Sequence, residues 1–457
     1  MSEKWIEHAK TATLVTLVTI SLVLTGFLWF SSPGYQTNPP FTKYDLTYIY
    51  SGTKYNDRAA HQLASPYQVI VHANNKISWL LPEGNTYARL TQLLQKASFD
   101  SFTTVAPTAD MWKTLFTQAP GAELVFPRDI SVQYADAFFD ASLLQKYPLN
   151  GLDSISRIWF FYNPASKESF VWFISAQDQQ IVQAKVDLGD KHLEDEIARS
   201  SMTKSPPLTA VFADGKAPWE QKNPSGHAFS RFFYLPTSSL PMNEWSFKLT
   251  LFDINEMKKW LIKDPSVEPF VTNKNEDLYM NNNEFLTYNK KGNFMSYSQT
   301  PDDTEPGTSN LYTDLAHINN FVQRHHGWTG NYLLDDVRSN DNNQYSFRLL
   351  VKGYPVYWSA NVPINPDQIQ LQTNNNEVIK YYRSVYILGS PDRQRTLSLP
   401  GKAELLQSLA DKKISLSTVE QIYPGYQADG IAGKQAVLKP VWIVITTSGK
   451  RMFISSP

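Results

Sequence analysis

The chain has 457 residues, 42% of them hydrophobic and 13% aromatic, which is too long for one core and too apolar for wholesale disorder, so two or three domains are expected. Its 42 Lys and Arg against 43 Asp and Glu leave a net charge of -1, which argues against a nucleic-acid binder. The absence of cysteine removes thiolate catalysis, disulfides, iron–sulfur clusters and cysteine-ligated zinc, and is compatible with an extracytoplasmic protein that needs no disulfides.

The first element is "TATLVTLVTISLVLTGFLWF", Thr11 to Phe30, which carries no charge. As a helix it rises about 30 Å, the thickness of a bilayer's hydrocarbon core. A cleaved signal would be shorter and end in small residues, whereas this run ends in bulky "GFLWF", so residues 11–30 are expected to be a retained transmembrane helix. Lys4 and Lys10 precede it and the next basic residue is Lys43, which places a cytoplasmic tail at 1–10 and the bulk of the chain outside, with Trp29 at the outer interface. Ala12, Thr16, Thr19, Val23 and Gly26 fall on one helical stripe. Small residues there let a partner helix approach closely, although Thr and Gly are also ordinary span residues; both readings stay open.

A polar linker, "SSPGYQTNPP" at 31–40, leads into a first region at 41–238. There "YQVIVHANNKISWLL" reads as two strands around Asn74-Asn75, and "NTYARLTQLLQKAS" as a helix capped by Asn85. "RIWFFYNPASKESFVWFISA" reads as an aromatic hairpin, and the Pro-rich stretch from Thr203 to His227 as a long loop or boundary. A second region, 239–300, opens with a helix in "DINEMKKWLI", where Asp253 and Glu256 have capping-box spacing, followed by three short strands. The acidic "PDDTEPGTS" is a linker. A third region, 310–457, starts with a helix on Leu311, Leu315, Ile318 and Val322, stopped at Gly327, then strands with turns at Lys352-Gly353 and Ser448-Gly449. The class is α+β, with two small helix-plus-antiparallel-sheet modules after a larger domain.

The residues that could carry chemistry are few. His325-His326 would chelate poorly because helical neighbours point about 100° apart, and they suit the negative end of a helix dipole instead. His61, His72, His192, His227 and His317 lack metal spacing. Ser154 and Ser225 lack the glycines of a nucleophile elbow, and "SNDNNQ" and "MNNNE" are read as turns rather than calcium loops. Glu194, Asp195 and Glu196 are expected on a solvated helix rather than as a glycosidase pair. No catalytic, cofactor-binding or metal-ligating residue is assigned.

The chain resembles the YycH family across almost its whole length. The resemblance lies in the N-terminal "SLVLTGFLWF", in "ELVFPRDI", in "DINEMKKWLIKDPSVEPF" and "EDLYMNNNEFLTYNKKGNFMSY", and in "INNFVQRHHGWTGNYLL" and "FRLLVKGYPVYW". It implies a single membrane helix carrying a three-domain extracytoplasmic α+β part. It also implies a non-enzymatic regulator of the sensor histidine kinase YycG (WalK), which controls cell-wall metabolism, acting with a YycI-like single-span protein partly through transmembrane helices. The bilayer and a second copy of the chain are further expected partners. Two other classes compete: an extracellular module binding a cell-wall or peptide ligand by itself, and an anchored hydrolase.

Overall fold

The computed structural model describes residues 2–30, 57–139, 149, 151–220, 231–262, 266–281, 283–300, 310–339, 343–359, 364–429 and 435–455. The linkers at 31–40 and 301–309, Ser225, His227 and residues 340–342 of "SNDNNQ" lie outside these. The chain divides into a unit of Met1–Ser51 and a unit of Gly52–Pro457.

In the first unit, Ser2–Phe30 forms one continuous helix of 29 residues, begun upstream of the apolar run. Side chains from Lys10 to Thr25 are exposed. Among the described residues no helix is long and apolar enough to cross a membrane. The Thr16 and Thr19 hydroxyls donate to the carbonyls of Ala12 and Val15, each at 2.8 Å, so their polarity is satisfied within the helix.

The second unit opens with a seven-stranded antiparallel sheet, in spatial order 76–80, 68–73, 121–125, 157–163, 168–175, 180–187 and 98–105. Asn74 and Asn75 both take positive φ, 51° and 56°, and close the first hairpin tightly enough that Ala73 faces Lys76. The aromatic hairpin pairs Trp159 with Trp172 across its strands. The helix expected to be capped by Asn85 has Gly84 at its N-cap, with Asn85 as its first residue. The Pro-rich stretch is not all loop: Leu208–Phe212 pairs with Phe232–Pro236, because the apolar run after Pro206-Pro207 has a hydrophobic strand to meet. On helix Leu193–Ser200, Glu194 and Asp195 are exposed as expected, but Glu196 is buried against Arg199 at 2.8 Å and Arg89 at 3.6 Å.

A fourteen-stranded sheet builds the rest. It runs from Phe270–Asn273 through Phe294–Gln299, then Glu377–Ser384, Gln368–Asn374, Asn343–Val351 and Tyr354–Trp358, to Val419–Asp429, Gln435–Thr446, Leu240–Leu251 and Tyr386–Leu399. Tyr354–Trp358 and Val419–Asp429 pair in parallel, whereas their neighbours are antiparallel. Strands from 239–300 and 310–457 thus share one ladder, with Ser296 opposite Tyr382.

Helix Leu311–Arg324 covers one face of this sheet. Leu311, Leu315, Ile318 and Val322 are all buried, as their spacing predicts, and Asn310 caps the N-terminus by accepting from the Thr313 amide at 2.9 Å. Its stop differs from expectation. The residue in left-handed conformation is His326, φ 52°, while Gly327 is needed for space: a Cβ there would lie 2.6 Å from the Tyr381 hydroxyl. One core joins Val69, Leu90 and Phe160 to Ile318, Phe347 and Tyr381; a second joins Trp159 and Trp172 to Leu438 and Trp442. Both cores therefore draw on early and late parts of the chain.

Candidate functional site

Period-two patterning makes a two-faced sheet where strands 343–351, 368–374 and 377–384 lie side by side. Tyr345, Phe347, Ile369, Leu371 and Tyr381 enter the core under the helix. Their alternates line a polar cleft of about 460 Å³ on the other face. The registers set the side chains in rows. Arg338 faces Gln344, Gln344 faces Gln372, and Gln372 faces Lys380. The next row holds Asp336, Ser346, Gln370 and Tyr382. At about 4.8 Å per strand, each row spans roughly 14 Å.

One end of the cleft is a buried ion network. Arg348 pairs with Asp335 at 2.9 Å and also with Asp367, which in addition accepts from the Trp358 amide at 3.1 Å. The Tyr67 hydroxyl donates to Asp335 at 3.1 Å, and Tyr357 and Tyr423 share a hydrogen bond of 2.8 Å. The guanidinium carbons of Arg348 and Arg451 approach the Tyr357 ring centre at 4.4 Å and 4.0 Å. Burial would raise the Asp335 carboxyl, but Arg348, Arg451 and Arg128 outweigh it and hold that carboxyl below its ordinary range. Burial wins at Asp367, which is raised despite Arg348. Arg348 stays charged, because its two carboxylates overcome the burial that would lower it.

The cleft lining carries five cationic side chains, Arg128, Arg338, Arg348, Lys380 and Arg451, against the carboxylates Asp335 and Asp336. Both carboxylates are engaged: Asp335 by Arg348, and Asp336 by Arg128 at 3.2 Å and Arg338 at 3.0 Å. Lys380 and Arg451 have no carboxylate partner within 4.0 Å among the described residues. The chemistry available is recognition of negative charge and hydrogen-bonding groups.

A second polar cluster is sealed in the first sheet. Glu123, from "ELVFPRDI", meets His72 at 2.6 Å and Arg157 at 3.3 Å and accepts from the Tyr234 hydroxyl, with Trp159 packed 4.9 Å from the His72 ring. All these side chains are buried, so the cluster satisfies charges inside the fold.

The residues singled out in the sequence scatter. The stripe of Ala12, Thr16, Thr19, Val23 and Gly26 lies on helix Ser2–Phe30, with the first four exposed. His325 does not serve the helix dipole as a cation. Burial, with Arg324 nearby, lowers it to about 4, and its ring packs 4.3 Å from Phe321. The His326 ring lies 5.1 Å from that of Trp260, tilted by 50°. Among the described residues no three His, Asp or Glu side chains gather as a metal site. Ser154 sits on the short strand Ser154–Ile155, its amide directed to Asp178. Sequence reading missed the cleft, although its signal was present: glutamine at 368, 370 and 372 alternates with Ile369 and Leu371.

Comparison with known proteins matches residues 7–201 to the YycH protein N-terminal domain and 230–451 to its C-terminal domain. The chain is 21% identical, over 95% of its length and 94% of the other's, to the "Two-component system WalR/WalK regulatory protein YycH" of Bacillus subtilis (strain 168). Its fold is similar to the crystal structure of YycH from Bacillus subtilis, with a TM-score of 0.63 and 18% identity over 87% of this chain and 98% of that one.

Proposed function

The chain belongs to the YycH family, and from that premise we propose that it is a non-enzymatic regulator of a two-component system, acting on a YycG/WalK-type sensor kinase. The observation that carries this reading is end-to-end similarity to a relative named as a WalR/WalK regulatory protein. A YycI-like single-span protein is the second partner that the family resemblance implies.

The finer part of the proposal concerns the N-terminal helix. Thr11 to Phe30 is uncharged, and its lysines lie on the N-terminal side, which supports a single-pass anchor with the bulk of the chain extracytoplasmic. Thr16 and Thr19 bond their own helix, so the stripe from Ala12 to Gly26 offers a small surface with no unsatisfied hydroxyl to a partner helix. Helix pairing would bias the kinase between two signalling states, for which a coupling of about 1–3 kcal/mol suffices.

Co-purification from detergent-solubilised membranes tests this. The native chain is expected to bring down a sensor kinase and a second single-span protein, and the variant Thr16→Leu/Thr19→Leu/Gly26→Leu to lose them. Equal recovery with both forms would move the contact to the outer unit, and absence of any kinase would sink the regulator reading.

A further inference from the structure

The polar cleft is not used by a helix-mediated regulator, and its construction is specific. We propose that it binds an extended phosphorylated polyol, a ligand with phosphate groups at two ends and hydroxyls between them.

The two lining cations without a carboxylate partner among the described residues set the ends. Lys380 closes the row of Arg338, Gln344 and Gln372. Arg451 shares the Tyr357 ring with Arg348, whose strand partner is Gln368, four residues along the strand from Gln372. Two strand spacings across and four residues along separate the backbones of Arg348 and Lys380 by roughly 16 Å. Ends carried on strands that far apart call for an extended ligand rather than one small anion. The wall between is made of Gln368, Gln370, Gln372 and the Tyr382 hydroxyl. Amides and a phenol both donate and accept, which is the complement of hydroxyl groups.

A peptide fits less well. Extended peptides usually add to an open strand edge, whereas the strands that carry the glutamines and Lys380 are paired on both sides: 368–374 by 343–351 and 377–384, and 377–384 by 368–374 and 294–299. A ligand here meets side-chain heads alone. A guanidinium and an ammonium as its charged ends suit phosphate oxygens. The neighbouring ion pairs hold the site ready, since Arg348 is fixed by Asp335 and Asp367.

The probe is fructose 1,6-bisphosphate, titrated calorimetrically into the full chain in detergent micelles, with glucose 6-phosphate, inorganic phosphate and an Asp/Glu-rich peptide alongside. The bisphosphate is expected to bind tightest, and to weaken as salt is raised. Lys380→Gln and Arg451→Gln are each expected to weaken it about tenfold. Lys439→Gln, outside the cleft, should leave it unchanged. Among the described residues Lys380 holds up no ion pair, so its variant should melt with the native protein even if the Arg451 variant, which loses a ring contact, does not. No binding at millimolar bisphosphate, binding indifferent to Lys380→Gln, inorganic phosphate binding as tightly as the bisphosphate, or a peptide binding tighter than it would each overturn the proposal. None of these outcomes depends on a kinase, so this inference can fail while the regulator reading stands.

Discussion

At the scale of single residues, charge placement in this protein is decided by burial more than by sequence neighbourhood. His325 illustrates it. In sequence it belongs to a basic cluster, Arg324-His325-His326, at a helix end where positive charge is favourable. In the fold its ring turns inward onto Phe321, and losing water outweighs the dipole. The consequence for stability has a definite sign. The unfolded imidazole titrates near its ordinary 6.5 and the folded one at about 4, so between those values the unfolded chain holds a proton that the folded chain does not. This contribution is full above pH 6.5 and is lost progressively as pH falls toward 4, by about 2–3 kcal/mol. His325→Gln, which cannot titrate, should therefore show a flatter dependence of urea stability on pH across this window, whatever its stability at pH 7. Parallel curves for the two proteins would mean that the ring is hydrated and free to charge. The cleft tells the converse story. Arg348 and Arg451 were legible as basic residues, but their convergence on Tyr357 is not local information, because the strands that carry them are far apart in sequence.

At the scale of elements, short-range features were readable because short-range physics sets them. The turns at Asn74-Asn75, Lys352-Gly353 and Ser448-Gly449 fall where left-handed residues were expected. The buried face of Leu311–Arg324 follows its helical period. Strand partners were not readable. Phe294–Gln299 pairs with Glu377–Ser384, and Tyr354–Trp358 runs parallel to Val419–Asp429, through ladders whose local sequence is apolar alternation common to many strands. Even a well-predicted turn carries tertiary information that the sequence hides. Gly353, φ 80°, does more than close a hairpin: a Cβ there would sit 2.2 Å from the Pro82 carbonyl oxygen. Gly449 has a similar φ, 77°, but open space around it. Gly449→Ala should cost only the backbone penalty, about 1 kcal/mol. Gly353→Ala adds backbone overlap and should cost about 3 kcal/mol or more. Chemical denaturation of the two variants measures the difference. Equal losses would mean that the Pro82 segment yields easily and does not clamp the turn.

At the scale of the whole molecule, cooperativity depends on whether the sheet and the cores are shared or divided. Sequence patterning suggests separate modules at 239–300 and 310–457, since each opens with a helix and continues in antiparallel strands. The hydrogen-bond ladder runs across that division at two places. Phe294–Gln299 pairs with Glu377–Ser384, and Leu240–Leu251 pairs with both Tyr386–Leu399 and Gln435–Thr446. Apolar packing crosses it too: Leu286 and Met295 share a core with Ile318, Phe347 and Tyr381. Separating the two segments would expose strand edges and part of a core together, so partial unfolding there has little to recommend it energetically. We therefore expect 239–300 and 310–457 to melt in one calorimetric transition of the full chain. Leu286→Ala and Phe347→Ala, one in each segment and both at fully buried positions, should each remove about 2–5 kcal/mol and lower that same transition. If Leu286→Ala instead split off an early transition and left the main one in place, 239–300 would be an independently folding domain, and the shared ladder a contact between domains. The cleft would then offer a second readout. Its floor ends at Lys380 and Tyr382, on the strand that receives Phe294–Gln299, so early loss of 239–300 would free one side of that strand and loosen the Lys380 end before the Arg451 end.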